Sequence, residues 1–142
     1  MSAVRLVATF VENKPGQTAR ITKVLAAAKI NIRCVTVASS GAYGVMKLLV
    51  NDPAEACHAL KHENLVATLV DVLAVEIPDR PGALFAIANC LAQHNINLDN
   101  TSGFVVNNRA ILVLEVHNVP HAAEILAAQG LHVLDQKETL AI

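Results

Sequence analysis

The chain has no tryptophan, one tyrosine and three phenylalanines, and its 11 basic residues nearly cancel its 12 acidic ones. A nucleic-acid surface needs a basic face for phosphates and aromatic rings for stacking, so this composition argues against nucleic acid as a partner. No run approaches about 18 uninterrupted apolar residues, which argues against a membrane-spanning helix. The first residues lack a signal-peptide layout, because Arg5, Glu12 and Lys14 interrupt any apolar stretch. The three cysteines, Cys34, Cys57 and Cys90, are scattered and odd in number. They read as reduced core residues of a cytoplasmic protein rather than as a disulfide frame. Neither a phosphate-cradling Gly-x-x-x-x-Gly-Lys nor a dinucleotide-type Gly-x-Gly-x-x-Gly occurs, so nucleotide binding has no motif behind it.

What the chain does have is apolar mass, 54% of its 142 residues against 16% charged, and an internal repeat. Asn13-Lys14-Pro15-Gly16 recurs as Asp79-Arg80-Pro81-Gly82, and Ile30-Asn31-Ile32 recurs as Ile96-Asn97-Leu98, both 66 residues later. A fixed long period with polar residues at matched places implies two copies of one fold unit. Boundaries near 1–69 and 70–142 follow. Pro53 and Pro120 are 67 apart, which predicts one extra residue in the second copy, at a hairpin tip within 39–43 or 102–109 where insertion costs little.

The elements repeat as well. Val4 to Val11 is β-branched and apolar, a strand. The Pro-Gly turn follows, and then a helical stripe of Ile21, Val24, Leu25 and Ala28. Ile32 to Ala38 and Val45 to Val50 read as strands. Asp52, Pro53 and Glu55 mark a helix start, with its end near His62, and Leu65 onward is strand again. The second copy gives a strand at Val72–Ile77, a helix at Ala83–Gln93, strands at Leu98–Val105 and Ala110–Val116, a helix at Pro120–Gln129 and a last strand from Leu131. The order β-α-β-β-α-β is the split-βαβ, ferredoxin-like unit of an α+β protein with antiparallel sheets. The apolar run Leu65–Ile77 links the copies without a flexible linker, so the modules are expected to be rigidly joined.

Chemistry is best placed at the Pro-Gly turn. Its proline fixes one φ and its glycine permits a left-handed backbone, and the N–H groups of the following helix favour a carboxylate. Asn31 and Asn97 close the same helices and carry a donor and an acceptor each, suited to an amino-acid zwitterion. The plainer reading is a turn and a helix stop; the repetition at constant internal spacing tilts the balance towards function. On the helix of the second copy, 84, 87, 88 and 91 form a stripe that turns Leu84 to the core.

A strand, then Asn/Asp-Lys/Arg-Pro-Gly, an amphipathic helix and Ile-Asn-Ile/Leu opening a strand resemble the ACT domain, twice over the whole chain. The resemblance implies a non-catalytic regulatory module that binds a small amino acid at domain interfaces, needs no cofactor and acts on a partner enzyme or protein; the exposed edge strands of the unit favour a homodimer. In serine-sensing ACT domains of phosphoglycerate dehydrogenases the ligand is held by an asparagine before Arg-Pro-Gly and by one opening the second strand. The corresponding residues here are Asn13 and Asn31, and Asp79 and Asn97. The adjoining loop residues are Lys14, Pro15, Gly16 and Gln17 in the first copy, and Arg80, Pro81, Gly82, Ala83 and Leu84 in the second. Those sensors carry a histidine where this chain has Val11 and Ile77, which puts serine itself in question. An ACT-type interaction module without ligand binding is the alternative.

Other clusters point to bland roles. His58 and His62, four apart, have no third metal ligand near them in sequence, and His117 and His121 straddle a turn; both pairs read as surface histidines. Glu12, Asp71, Glu76 and Asp99 are isolated charges rather than a catalytic pair.

Overall fold

In the computed structural model, which describes residues 3–142, the chain divides into two compact units, Arg5–Val70 and Asp71–Ile142, the latter joined by Val4. The first pattern runs β1 (Val4–Glu12), α1 (Gln17–Ala27), β2 (Ile32–Ser40), β3 (Tyr43–Val50), α2 (Pro53–His62) and β4 (Ala67–Ile77). The second begins on β4 and continues with α3 (Ala83–Gln93), β5 (Asn100–Val106), β6 (Arg109–Glu115), α4 (Val119–Ala128), β7 (His132–Leu134) and α5 (Gln136–Leu140). β4 is therefore one strand that ends one ferredoxin-like module and opens the next. Within the first unit β3 pairs antiparallel with both β1 and β2. Within the second, β4 lies between β6 and β7, and β6 also pairs with β5, all antiparallel.

Helical spacing explains which faces are buried. Ile21 and Leu25 of α1 are buried against Val7, Met46, Leu48 and Leu60; their counterparts Ile87 and Leu91 of α3 are buried with Leu73, Leu114 and Leu126. Each fully buried leucine or isoleucine side chain contributes about 1.5–3 kcal/mol, so each unit has its own hydrophobic reason to fold. Thr9 is one of few buried polar residues, and its hydroxyl donates to the Val66 carbonyl at 2.7 Å, which spares both groups the cost of burial unpaired.

The structure corrects the inserted residue. Both hairpins exist, each with a two-residue turn, Gly41-Ala42 and Asn107-Asn108, and these turns stand 66 apart like the Pro-Gly turns. The helix N-caps keep the same spacing: Asp52 accepts from the Glu55 N–H and Asn118 from the His121 N–H, each at 3.1 Å. Pro53 is the first residue of α2 and Pro120 the second of α4. Both positions lie in the first turn, where the missing N–H costs nothing, so the proline moved while the backbone did not. The helix ends match too. A left-handed residue follows α1 and α3, Lys29 (φ 59°) and Asn95 (φ 56°), and α2 and α4, Asn64 (φ 60°) and Gly130 (φ 83°).

Two further readings change. The chain after Leu131 is a three-residue strand followed by α5, closed by a capping box in which Asp135 and Glu138 bond each other's backbone N–H. Leu84 is 48% exposed and Phe85 71% exposed, and the buried residues of α3 are Ile87 and Leu91. No helix among the described residues is long and apolar enough to cross a membrane.

Candidate functional site

The two Pro-Gly turns have the same backbone. Gly16 (φ 89°, ψ −13°) and Gly82 (φ 89°, ψ −11°) are left-handed and serve as N-caps of α1 and α3. Lys14 and Arg80 turn their N–H groups back to the carbonyls two residues earlier, at 2.9 and 3.0 Å. Glycine has no side chain, so no side-chain oxygen caps either helix, whereas α2, α4 and α5 are capped by Asp52, Asn118 and Asp135. The first N–H of each helix turns back to the loop, Gln17 to the Lys14 carbonyl at 3.4 Å and Ala83 to the Arg80 carbonyl at 3.3 Å; the next N–H groups of α1 and α3 have no acceptor within their helices and lie at the positive end of the helix dipole.

Around this shared backbone the side chains differ. In the first copy the Asn13 amide donates to the Gly41 carbonyl at 3.0 Å and its N–H to the Ala42 carbonyl at 2.8 Å, tying the loop to the β2–β3 hairpin. Lys14 pairs with Glu12 at 3.0 Å. Pro15 and Gly16 are exposed and Gln17 is half-buried. In the second copy Asp79, Arg80, Pro81 and Gly82 are exposed, Ala83 is half-buried and Leu84 is exposed. Position 78 is proline where the first copy has Glu12. Arg80 thus has no carboxylate two residues before it and makes no ion pair among the described residues.

Neither module brings its asparagine to its own loop. Asn31 and Asn97 lie past the other ends of α1 and α3, each of 11 residues, about 16 Å of helix away. The Asn31 N–H donates to Asn51 Oδ1 at 2.9 Å and its carbonyl accepts from the Asn51 N–H at 3.2 Å. Asn97 Nδ2 donates to Asp99 Oδ1 at 2.9 Å.

A cleft of about 360 Å³ lies beside the second loop, lined by Arg80, Gly82, Ala83, Ala86, Cys90 and Gln129 and floored by Ile77, Ile87 and Leu131. Ala86, Cys90, Gln129 and the floor residues were not expected from the motif. For Ala86 and Cys90 the signal lies in the repeat, where they replace Arg20 and Val24; Gln129 and the floor residues carry none. In the first unit an open groove of about 370 Å³ runs between α1 and α2, with His58 and His62 exposed along it. Among the described residues no three His, Cys, Asp or Glu side chains converge as metal ligands.

The acidic residues taken as isolated are in fact partnered. Glu76 is ion-paired with Arg109, Glu12 with Lys14, and Asp99 accepts from Asn97. Cys34, Cys57 and Cys90 are free thiols, and burial pushes the Cys34 thiol up despite a backbone hydrogen bond involving Val35.

A family model described as an ACT domain pair matches residues 1–142. No curated protein matches the chain. Among solved structures, protein BT0572 from Bacteroides thetaiotaomicron superposes with a TM-score of 0.90 at 27% identity, covering 96% of this chain and 94% of that one. The ligand-free regulatory subunit of aspartate kinase from Thermus thermophilus superposes at 0.65 with 15% identity, covering 90% and 93%. That of Thermus flavus does so at 0.59 with 14% identity, covering 89% and 93%. These last two share the fold.

Proposed function

Because the chain belongs to the ACT domain pair family over residues 1–142, we propose that it is a non-catalytic regulatory protein that binds a free amino acid and passes that state to a partner protein. The observation that carries this reading is the uncapped start of α1 and α3 behind a left-handed glycine, in a chain whose other described helices are all capped by side chains. Such a helix start offers N–H donors and a positive dipole end to a carboxylate. The ligand's carboxylate sits on the loop of one ACT module, and the strand-opening asparagine of a neighbouring module in a homodimer receives its polar groups. Ligand that binds one arrangement of the dimer more tightly shifts the population towards it, and each tenfold difference in affinity is worth about 1.4 kcal/mol.

Titration calorimetry of the whole chain against the twenty amino acids tests this. Binding of at least one is expected, weakened roughly tenfold or more by Asn31→Ala or Asn97→Ala, the range of a lost hydrogen bond to a charged group. A mass by light scattering equal to a single chain would remove the dimer from the mechanism.

A second reading is an ACT-type interaction module without ligand. Phe10, Tyr43 and Val66, each more than half exposed in the first unit, favour it. Absence of any heat in the titration, together with a partner retained by the wild type and lost with Phe10→Ser, would select it.

A further inference from the structure

The two loops share a backbone but not the side chains behind it. Counting 66 residues back from the cleft, Ala83, Ala86 and Cys90 correspond to Gln17, Arg20 and Val24. Three positions on one face of the first helix are thus small in the second copy and larger in the first. The cleft of about 360 Å³ falls within the size of known small-molecule pockets, roughly 300–1,000 Å³. Charge divides the copies in the same sense. Lys14 is neutralised by Glu12 at 3.0 Å; Arg80, with Pro78 in place of that glutamate, lines the cleft with no ion-pair partner among the described residues.

The cleft also has two electrostatic ends. Gly82 and Ala83 mark the start of α3, and Gln129 caps the end of α4. Both helices are long enough, 11 and 10 residues, for the first to favour negative charge and the second positive charge. Between them Ile77, Ile87 and Leu131 make an apolar floor.

We propose that the second copy alone holds the ligand, in this cleft, and that the ligand is an amino acid with a compact aliphatic side chain. Arg80 and the N–H groups opening α3 take the carboxylate, the end of α4 faces the ammonium group, and the side chain lies on the apolar floor. Ala83, Ala86 and Cys90 set specificity by being small. This rests on the amino-acid-binding reading above, gives the ammonium group to the end of α4 instead of to a neighbouring module's asparagine, and adds which copy binds and what it selects.

The test is titration of the full chain with valine, leucine and isoleucine alongside aspartate, lysine and phenylalanine. The aliphatic three are expected to bind most tightly. Arg80→Gln should weaken them roughly ten- to hundredfold, the range of one charge-assisted hydrogen bond. Ala86→Arg, which installs the residue of the first copy at an exposed helical site, should abolish binding. Arg20→Ala, at the matching helical site of the first copy, should leave it unchanged. Because a variant that binds nothing could have failed to fold, the wild type is also treated with iodoacetamide, and modification is located by mass spectrometry. Bound leucine should protect Cys90 and leave the rate at Cys34 unaltered. Binding that survives Arg80→Gln and Ala86→Arg but is lost with Lys14→Gln would overturn this assignment while leaving an amino-acid sensor. Binding of none of the twenty amino acids by the wild type would overturn both.

Discussion

In the first copy, the Asn13 side chain reaches to the tip of the neighbouring hairpin and Lys14 leans on Glu12; in the second, Asp79 has no side-chain N–H to give and Arg80 has no glutamate beside it. The φ and ψ of the glycine beneath them agree within two degrees. Backbone and core were kept through the duplication while the side chains around the loop parted company. The lesson is that a turn whose geometry comes from Pro-Gly alone leaves its neighbours free to change, because none of them is needed to hold the turn.

The sharpest way to break the claim of equal cores is Leu25→Ala beside Leu91→Ala. Both side chains are almost fully buried at the same place in their units, and each should cost about 2–5 kcal/mol in urea unfolding. A difference as large as the cost itself would show that the matched cores are not energetically alike. Next come Gly16→Ala and Gly82→Ala. Nothing crowds either site, yet each has φ of +89°, so the strain of about 1–2 kcal/mol is conformational and should be equal in the two copies. Removal of the caps, Asp52→Ala and Asn118→Ala, should cost about 1 kcal/mol each, and parity here would confirm that a proline at the first or second helical position is equally well tolerated. The smallest effect sharpens the contrast between loops. Asn13→Asp gives the first copy the residue of the second and removes the bond to Gly41, at about 0.5–1 kcal/mol, seen as faster hydrogen exchange of the backbone N–H at position 13. The reciprocal Asp79→Asn should not destabilise.

Much of this architecture could be read from the chain before folding. The span of α3 was legible to the residue, because its Pro-Gly start and its apolar stripe agree. The hairpins were legible too, although the reason given for them, an inserted residue, mistook a shifted proline for a shifted backbone. A five-residue helix such as α5 carries too little periodicity to announce itself; only Asp135 and Glu138, three apart, marked it. Leu84 misled because an apolar residue in phase with a stripe is buried only if the helix still overlies the core at that turn. In the candidate site, the loop residues were legible from their motif, whereas the cleft was not. A cavity is made by atoms that are missing, and Ala83, Ala86 and Cys90 acquire meaning only when set against Gln17, Arg20 and Val24.

The left-handed residues that close the helices bear on how such a chain can be repaired. Lys29 holds a conformation that its counterpart Asn95 adopts more readily, and Asn64 holds one that Gly130 adopts without penalty. The second copy thus stores a tried substitution for two weak points of the first, at a backbone geometry already known to accept it. A duplicated protein of this kind contains its own consensus library, and copying residues from 66 positions further on is the shortest route to a more robust first half.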